Sequence, residues 1–319
     1  MDSLDAMVQL ALGLTPAQWC RTFFLLSSGA VVVIQALPGH VRGAVMNYGA
    51  RRPQDSERRP VEPAGPAGPL GGLWGLVTSL ANLGQVPHAW FLHFYVLSVS
   101  CSAFWAWQYL QRGSLMNEMA KLQDRAGTPS MELGQVYAAW LMMALQGSRR
   151  LYESLYVSKR GSSPMWIVHW ALGLVYYTSM GISVWVEGSS AILQSWESPY
   201  QGSLLTRKMP LALALYSVAC LKQNECHRHL ASLKKYTLPN EGWFRFLICP
   251  HYTCECILYL AIAWVAAPPG QLFNKTVLLG LLFVAVNLGS TAAGTKKWCV
   301  QKFGAEKVAG RWIMIPFVF

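Results

Sequence analysis

Residues 222–256 hold three of the chain's seven histidines, His227, His229 and His251, with Gln223, the Lys234-Lys235 pair and Glu255. On both sides the sequence is almost unbroken hydrocarbon. Polar groups beside membrane-length apolar runs are expensive when unpaired, which makes them functional suspects. Cations elsewhere, Arg149-Arg150 and a tail with Lys296, Lys297 and Arg311, add guanidinium and ammonium groups of the kind that pair with phosphate. Charge alone leaves two readings open, a bound anionic ligand or plain contact with lipid headgroups, and it favours the second. Cys226, His227, His229, Cys249, Cys254 and Cys256 lack the paired spacing of a zinc site, and no metal is expected. A second polar island, His93 and Tyr95, lies just inside an apolar run. In a helix these two point about 200° apart, and either could line a cavity between helices. Arg150 and Glu153, at i and i+3, can pair structurally.

The elements that must position these residues are membrane helices. The chain is 53% hydrophobic and only 13% charged, with 14 tryptophans, whereas soluble domains carry about a quarter charged residues. Apolar runs of membrane length lie at about 19–37, 90–110, 136–150, 165–186, 204–221, 252–268 and 276–293. The expected fold class is therefore all-α, a polytopic membrane protein with about seven transmembrane helices. It forms one domain over residues 1–319, with a flexible Pro/Gly-rich loop at 49–88 that cannot bury a core. Within that loop the short run at 70–83 reads as a surface-lying or re-entrant helix. Residues 111–133 read as a polar loop. Most of the 26 basic residues fall in the loops after spans one, three and five and in the tail. That asymmetry puts the C-terminus in the cytosol and the N-terminus outside, and it excludes a nucleic-acid patch. Asn274-Lys275-Thr276 is formally a glycosylation acceptor on the outer side. The eight cysteines lack an extracellular framework spacing and are expected as free thiols.

With these residues in view, the chain resembles the steroid 5α-reductase family, most closely its polyprenol-type branch. The resemblance covers about residues 86–319. It rests on Trp90-Phe91-Leu92-His93-Phe94-Tyr95, Arg149-Arg150-Leu151-Tyr152-Glu153-Ser154, Gly173-Leu174-Val175-Tyr176-Tyr177, Gln223 with Cys226-His227, and Leu233-Lys234-Lys235. Gly242-Trp243-Phe244, Pro250-His251-Tyr252 with Glu255, and Ile315-Pro316-Phe317-Val318-Phe319 complete it.

The resemblance implies an NADPH-dependent membrane oxidoreductase that saturates a carbon–carbon double bond conjugated to a carbonyl. It implies cofactor contacts at Gln223, His227, Lys234, Lys235, His251, Tyr252, Glu255, Arg150, Lys297 and Arg311. Steroid-acting relatives carry a Gln-Glu pair where this chain has His93-Phe94, and a catalytic tyrosine where it has Gly147. The carbonyl donor must therefore differ, and His93 is expected in that role with Tyr95 second. The substrate expected is polyprenal, because an allylic alcohol offers no carbonyl to take up the developing charge. The setting implied is the endoplasmic reticulum membrane, in dolichol synthesis for N-glycosylation. No obligate protein partner is inferred. Alternatives are a trans-2-enoyl-CoA reductase, a 3-oxo-5α-steroid 4-dehydrogenase, or a lipid-binding membrane scaffold without activity.

Overall fold

Thr15 starts the first long helix: its hydroxyl accepts from the Gln18 amide at 3.2 Å, and the Gln18 side chain accepts from the Thr15 amide at 2.8 Å. With Pro16 supplying the fixed φ of a first turn, this reciprocal cap sets α1 at Pro16–Ala36. In the computed structural model the described residues are 13–46, 72, 75–77, 79–80, 83–159, 163–200, 202, 204–234 and 236–319. After α1 come α2 (Gly39–Met46), α3 (Phe91–Leu110), α4 (Ser114–Asp124), α5 (Leu133–Tyr152), α6 (Ile167–Ser183), α7 (Ser189–Glu197), α8 (Met209–Ser232), α9 (Pro250–Val265) and α10 (Lys275–Phe303). The protein is mostly helical. Among the described residues, Pro16–Ala36, His88–Leu110, Ile167–Glu197 and Lys275–Phe303 are long and apolar enough to cross a membrane. Most of the Pro/Gly-rich loop and of the run at 70–83 lies outside the described residues.

Three features depart from the expected outline. The stretch after α3 is not simply a loop. It forms the amphipathic α4, which buries Met116, Ala120 and Gln123 on one face. Their three- and four-residue spacing is a helical stripe, written in too polar a segment to read as a membrane element. A short antiparallel pair, β1 (Gln85–Pro87) and β2 (Pro164–Trp166), ties the entries of α3 and α6. Helices α8 and α10 also run well past the last residues of their apolar stretches, to Ser232 and Phe303. Hydropathy ends where polar side chains begin, but backbone hydrogen bonding does not.

Helix ends fall into two groups. At one end Gln135 donates to the carbonyls of Val265 and Ala267 at 2.8 and 2.7 Å. There too Arg21 pairs with the buried Glu187 at 2.7 Å, and Thr276 donates to the same carboxylate. Asn274 caps α10, accepting from the Val277 amide at 2.9 Å and donating to the Ala266 carbonyl at 3.1 Å. Asn274 and Thr276 are fully buried, so the folded chain does not present this sequon. At the opposite end the stretch 246–249 runs beside residues 312–313. Ile248 donates to the Trp312 carbonyl and Trp312 to that of Phe246, each at 2.8 Å.

Glycines set the close helix crossings. A Cβ on Gly147 would stand 2.6 Å from the Ser98 hydroxyl, and one on Gly173 would meet the Phe94 ring at 2.6 Å. Both departures flagged in the sequence thus find a packing reason. Position 147 has no room for a side chain between α5 and α3, and Phe94 fills the space that Gly173 leaves.

Candidate active site

A cavity of about 390 Å³ opens at the end of the bundle shared by the 222–256 stretch and the tail. Its polar side is built by α5, α8 and α9, whose adjoining ends carry Arg150, Gln223, His227, His251 and Glu255. The rest of its lining is mainly aromatic and aliphatic, with Phe91, Phe94, Tyr176, Tyr177, Phe283 and Leu288 beside His88, His169 and Asn287. The volume lies within the range of small-molecule sites, roughly 300–1,000 Å³.

Glu153 organises the polar side from behind. It sits in a single π-helical turn, Glu153–Val157, that ends α5, and it is fully buried. Four side chains converge on its carboxylate: Arg149, Arg150, Asn224 at 2.7 Å and His227 Nδ1 at 2.7 Å. Burial by itself raises the carboxyl's pKa. The His227 hydrogen bond and the Arg150 and Arg149 charges more than offset this and hold the group well below the ordinary carboxylate range.

The two arginines then hand this order forward. Arg149 donates to Gln146 at 2.7 Å and to Gln223, and Gln223 donates to Glu255 and to the His251 carbonyl at 3.0 Å. Gln146 also donates to Glu255, at 3.1 Å. Arg150 reaches the Tyr95 hydroxyl at 2.7 Å, with its guanidinium 4.8 Å from the ring centroid. A phenol oxygen that accepts from a guanidinium keeps its own proton to donate.

The structure therefore gathers seven of the expected residues around one space: Tyr95, Arg150, Gln223, His227, His251, Tyr252 and Glu255. It does not bring in His93. That ring is exposed on the far face of α3, accepts from the Trp170 indole at 3.3 Å and packs beside Trp90. Tyr95, two residues on, takes the inward face instead. Lys234 and Lys297 are exposed and do not line the cavity, and Lys235 lies outside the described residues. Lys296 rather than Lys297 turns inward, donating to the Arg311 carbonyl at 2.7 Å, while Arg311 donates to Pro239 at 2.6 Å.

Sequence reasoning passed over Gln146, Asn224 and Asn287 altogether. The signal for the first was present, since Gln146, Arg149 and Glu153 recur at i, i+3 and i+7 down one face of an apolar helix. Asn287 lines the cavity from α10, with no hydrogen-bond partner among the described residues. One polar residue in an apolar run carries no periodic signal.

A cavity lined in this way can take a ligand with a polar head and an apolar body, and comparison with known proteins shows what the chain is similar to. Residues 163–319 match the family described as 3-oxo-5-alpha-steroid 4-dehydrogenase. Over that stretch the chain is similar to the steroid 5α-reductase family, a family of oxidoreductases. Over most of its length the chain is also similar to polyprenal reductases. It is 28% identical over 286 residues to polyprenal reductase 1 of Oryza sativa subsp. indica, covering 73% of this chain and 79% of that protein. It is 25% identical over 261 residues to polyprenal reductase of Caenorhabditis elegans (75% and 82%), and 28% over 260 to that of Xenopus tropicalis (74% and 80%).

Proposed function

We propose that this protein is an NADPH-dependent polyprenal reductase of the endoplasmic reticulum membrane. It would saturate the α-isoprene double bond of polyprenal to give dolichal, on the route to dolichol for protein N-glycosylation. The observation that carries this reading is the mixed lining of the cavity: the hydrogen-bonding groups of Arg150, Gln223, His251 and Glu255 share it with aromatic residues that suit an isoprenoid. The curated relatives named polyprenal reductase support the substrate.

The residues present fit a nicotinamide cofactor. Asn287 and the ordered Gln223–Glu255 pair line the same cavity, which offers a planar carboxamide both donors and acceptors. Bound NADPH supplies a hydride for the β-carbon. Gln223, His227, His251, Tyr252, Glu255 and Arg150 would hold and orient it. Lys234, Lys297 and Arg311, at the same end of the bundle, are assigned to its phosphates, together with Lys235, which lies outside the described residues. Tyr95 is assigned as the donor to the developing enolate oxygen, because Arg150 fixes its oxygen and leaves its proton free. His93, exposed beside Trp170, is moved out of the expected catalytic role. Seven spans, α1, α3, α5, α6, α8, α9 and α10, would put the cavity end in the cytosol, where basic residues concentrate.

The test is an assay of detergent-solubilised protein with NADPH and polyprenal, beside polyprenol, an enoyl-CoA and a 3-keto-4-ene steroid. Mass spectrometry should find the two-hydrogen gain on polyprenal alone. A gain on the steroid or enoyl-CoA in its place would overturn the substrate, and no turnover of any would overturn the reductase reading.

A further inference from the structure

Residues 312–319 make a closed turn that buries Met314 against Ile248, Cys299 and Val308 and leaves most of its other side chains outside the core and the cavity. Met314 and Ile315 donate to the Phe319 carbonyl at 2.9 and 2.8 Å, and Phe319 donates back to that of Ile315 at 2.9 Å. Its outward side is apolar. Phe317 is 86% exposed and Val318 77%, with Trp312, Ile315 and the neighbouring Phe246 exposed beside them. Phe317 also holds a left-handed φ of 64°, a conformation that costs a bulky L-residue about 1–2 kcal/mol. A strained turn that displays a phenylalanine needs an environment in which the display is favourable.

Depth supplies that environment. At 29 residues, α10 is about 43 Å long, against a hydrocarbon core of about 30 Å. Lys296, Lys297 and Lys302 sit in its last turns, so the excess length protrudes at this end. Arg311 is tied to Lys296, but from there the chain runs back toward the bilayer. The Phe319 ring lies 3.6 Å from where a Gly289 Cβ would be. Gly289 is seven residues before Lys296, which is about 10 Å deeper along the helix. Thr253, in the first turn of α9, donates to the Met314 carbonyl and ties the turn to that helix. The last residue of the turn therefore reaches a level where α10 is still apolar. Arg245, near the paired stretch 246–249, and Lys297, Lys302 and Lys307, which precede the turn in the chain, are exposed, cations suited to anionic headgroups.

We propose that residues 312–319 form a re-entrant anchor whose Phe317 and Val318 lie among phospholipid acyl chains at the headgroup boundary of the leaflet at the cavity's end. The anchor holds the strand-like pairing of 246–249 with 312–313 against the bilayer and so fixes the loop that enters α9 and the cavity wall. This does not depend on the substrate or the cofactor.

The test uses the full chain in nanodiscs of phosphatidylcholine and phosphatidylserine, with trifluoromethyl-phenylalanine placed singly at position 317, at the lipid-facing Leu282 or at the exposed Glu306. Fluorine spectra are recorded with dissolved oxygen, which concentrates in acyl chains, and with a water-soluble nickel chelate. The ratio of oxygen effect to nickel effect at 317 should match that at 282 and exceed that at 306 several-fold. A ratio at 317 equal to that at 306 would overturn the anchor. Shielding from both reagents would overturn it too, by pointing to a second copy of the chain or another protein on this face. Phe317 is exposed, so the label leaves the fold intact, and a melting curve in each nanodisc sample confirms it.

Discussion

Replacing Tyr95 by phenylalanine removes one hydroxyl from the cavity and leaves the ring, with its packing against Tyr177, in place. The lost group is the proton assigned to the developing enolate oxygen. Loss of one donor to a developing oxyanion costs about 10²–10³ in kcat, or roughly 2.7–4 kcal/mol of transition-state stabilisation. The Arg150 Nη2 that now donates to Tyr95 at 2.7 Å loses an acceptor, but Nη1 stays on Glu153. The guanidinium therefore keeps its place, and cofactor binding should change by less than threefold. His93→Ala is the matched comparison. Its ring meets Trp90 and Trp170 outside the cavity, so kcat should stay within a few-fold of wild type. The assay is steady-state reduction of polyprenal with NADPH, with NADP⁺ binding followed separately by thermal shift. The reasoning fails if Tyr95→Phe turns over normally, or if its loss is shared equally by NADP⁺ affinity. A collapse confined to His93→Ala would return the donor role to that residue.

Glu153→Ala removes a buried carboxylate from two arginines and His227; breaking such a group should cost about 3–5 kcal/mol, read as a large fall in melting temperature, and an unchanged melt would show the network to be incidental. Gly147→Ala places a methyl 2.6 Å from the Ser98 hydroxyl and should destabilise by about 1–3 kcal/mol. Adding Ser98→Ala should restore much of that loss, and failure of the rescue would place the strain elsewhere. Asn274→Ala should leave electrophoretic mobility unchanged, since the sequon is buried, while lowering stability by about 1 kcal/mol through the lost cap. A mobility shift matching one glycan would instead show the site modified before folding completes.

Helical character, membrane character and the polar residues of the 222–256 stretch were legible in the chain, because each is a local property; of the seven spans expected, four described helices are long and apolar enough to cross a membrane. Runs of hydrocarbon declare helices whatever they pack against, and a glutamate or histidine beside such a run must be paired or used. The resemblance, carried by short strings such as Pro250-His251-Tyr252, added the chemistry to those positions. Direction around a helix was legible only in part. His93 and Tyr95 were known to diverge by about 200°, but which of them faces inward depends on where α6 packs against α3. Gly173 under Phe94 decides that crossing.

Charge without contact was the other blind spot. Glu153 read as half of a structural ion pair, because i,i+3 spacing names a partner on its own helix and says nothing of α8. Only the packed bundle brings Asn224 and His227 onto the same carboxylate and turns a simple ion pair into the node that orders Arg149, Arg150 and Gln223. Lys297 and Lys296 likewise differ by one position, and only the folded tail selects the second. Composition and periodicity thus determined that this protein is a bundle of membrane helices with a polar seam at one end. The tertiary structure decided which side chains face that seam, because facing is set by crossing angles and close glycine contacts between segments far apart in the chain.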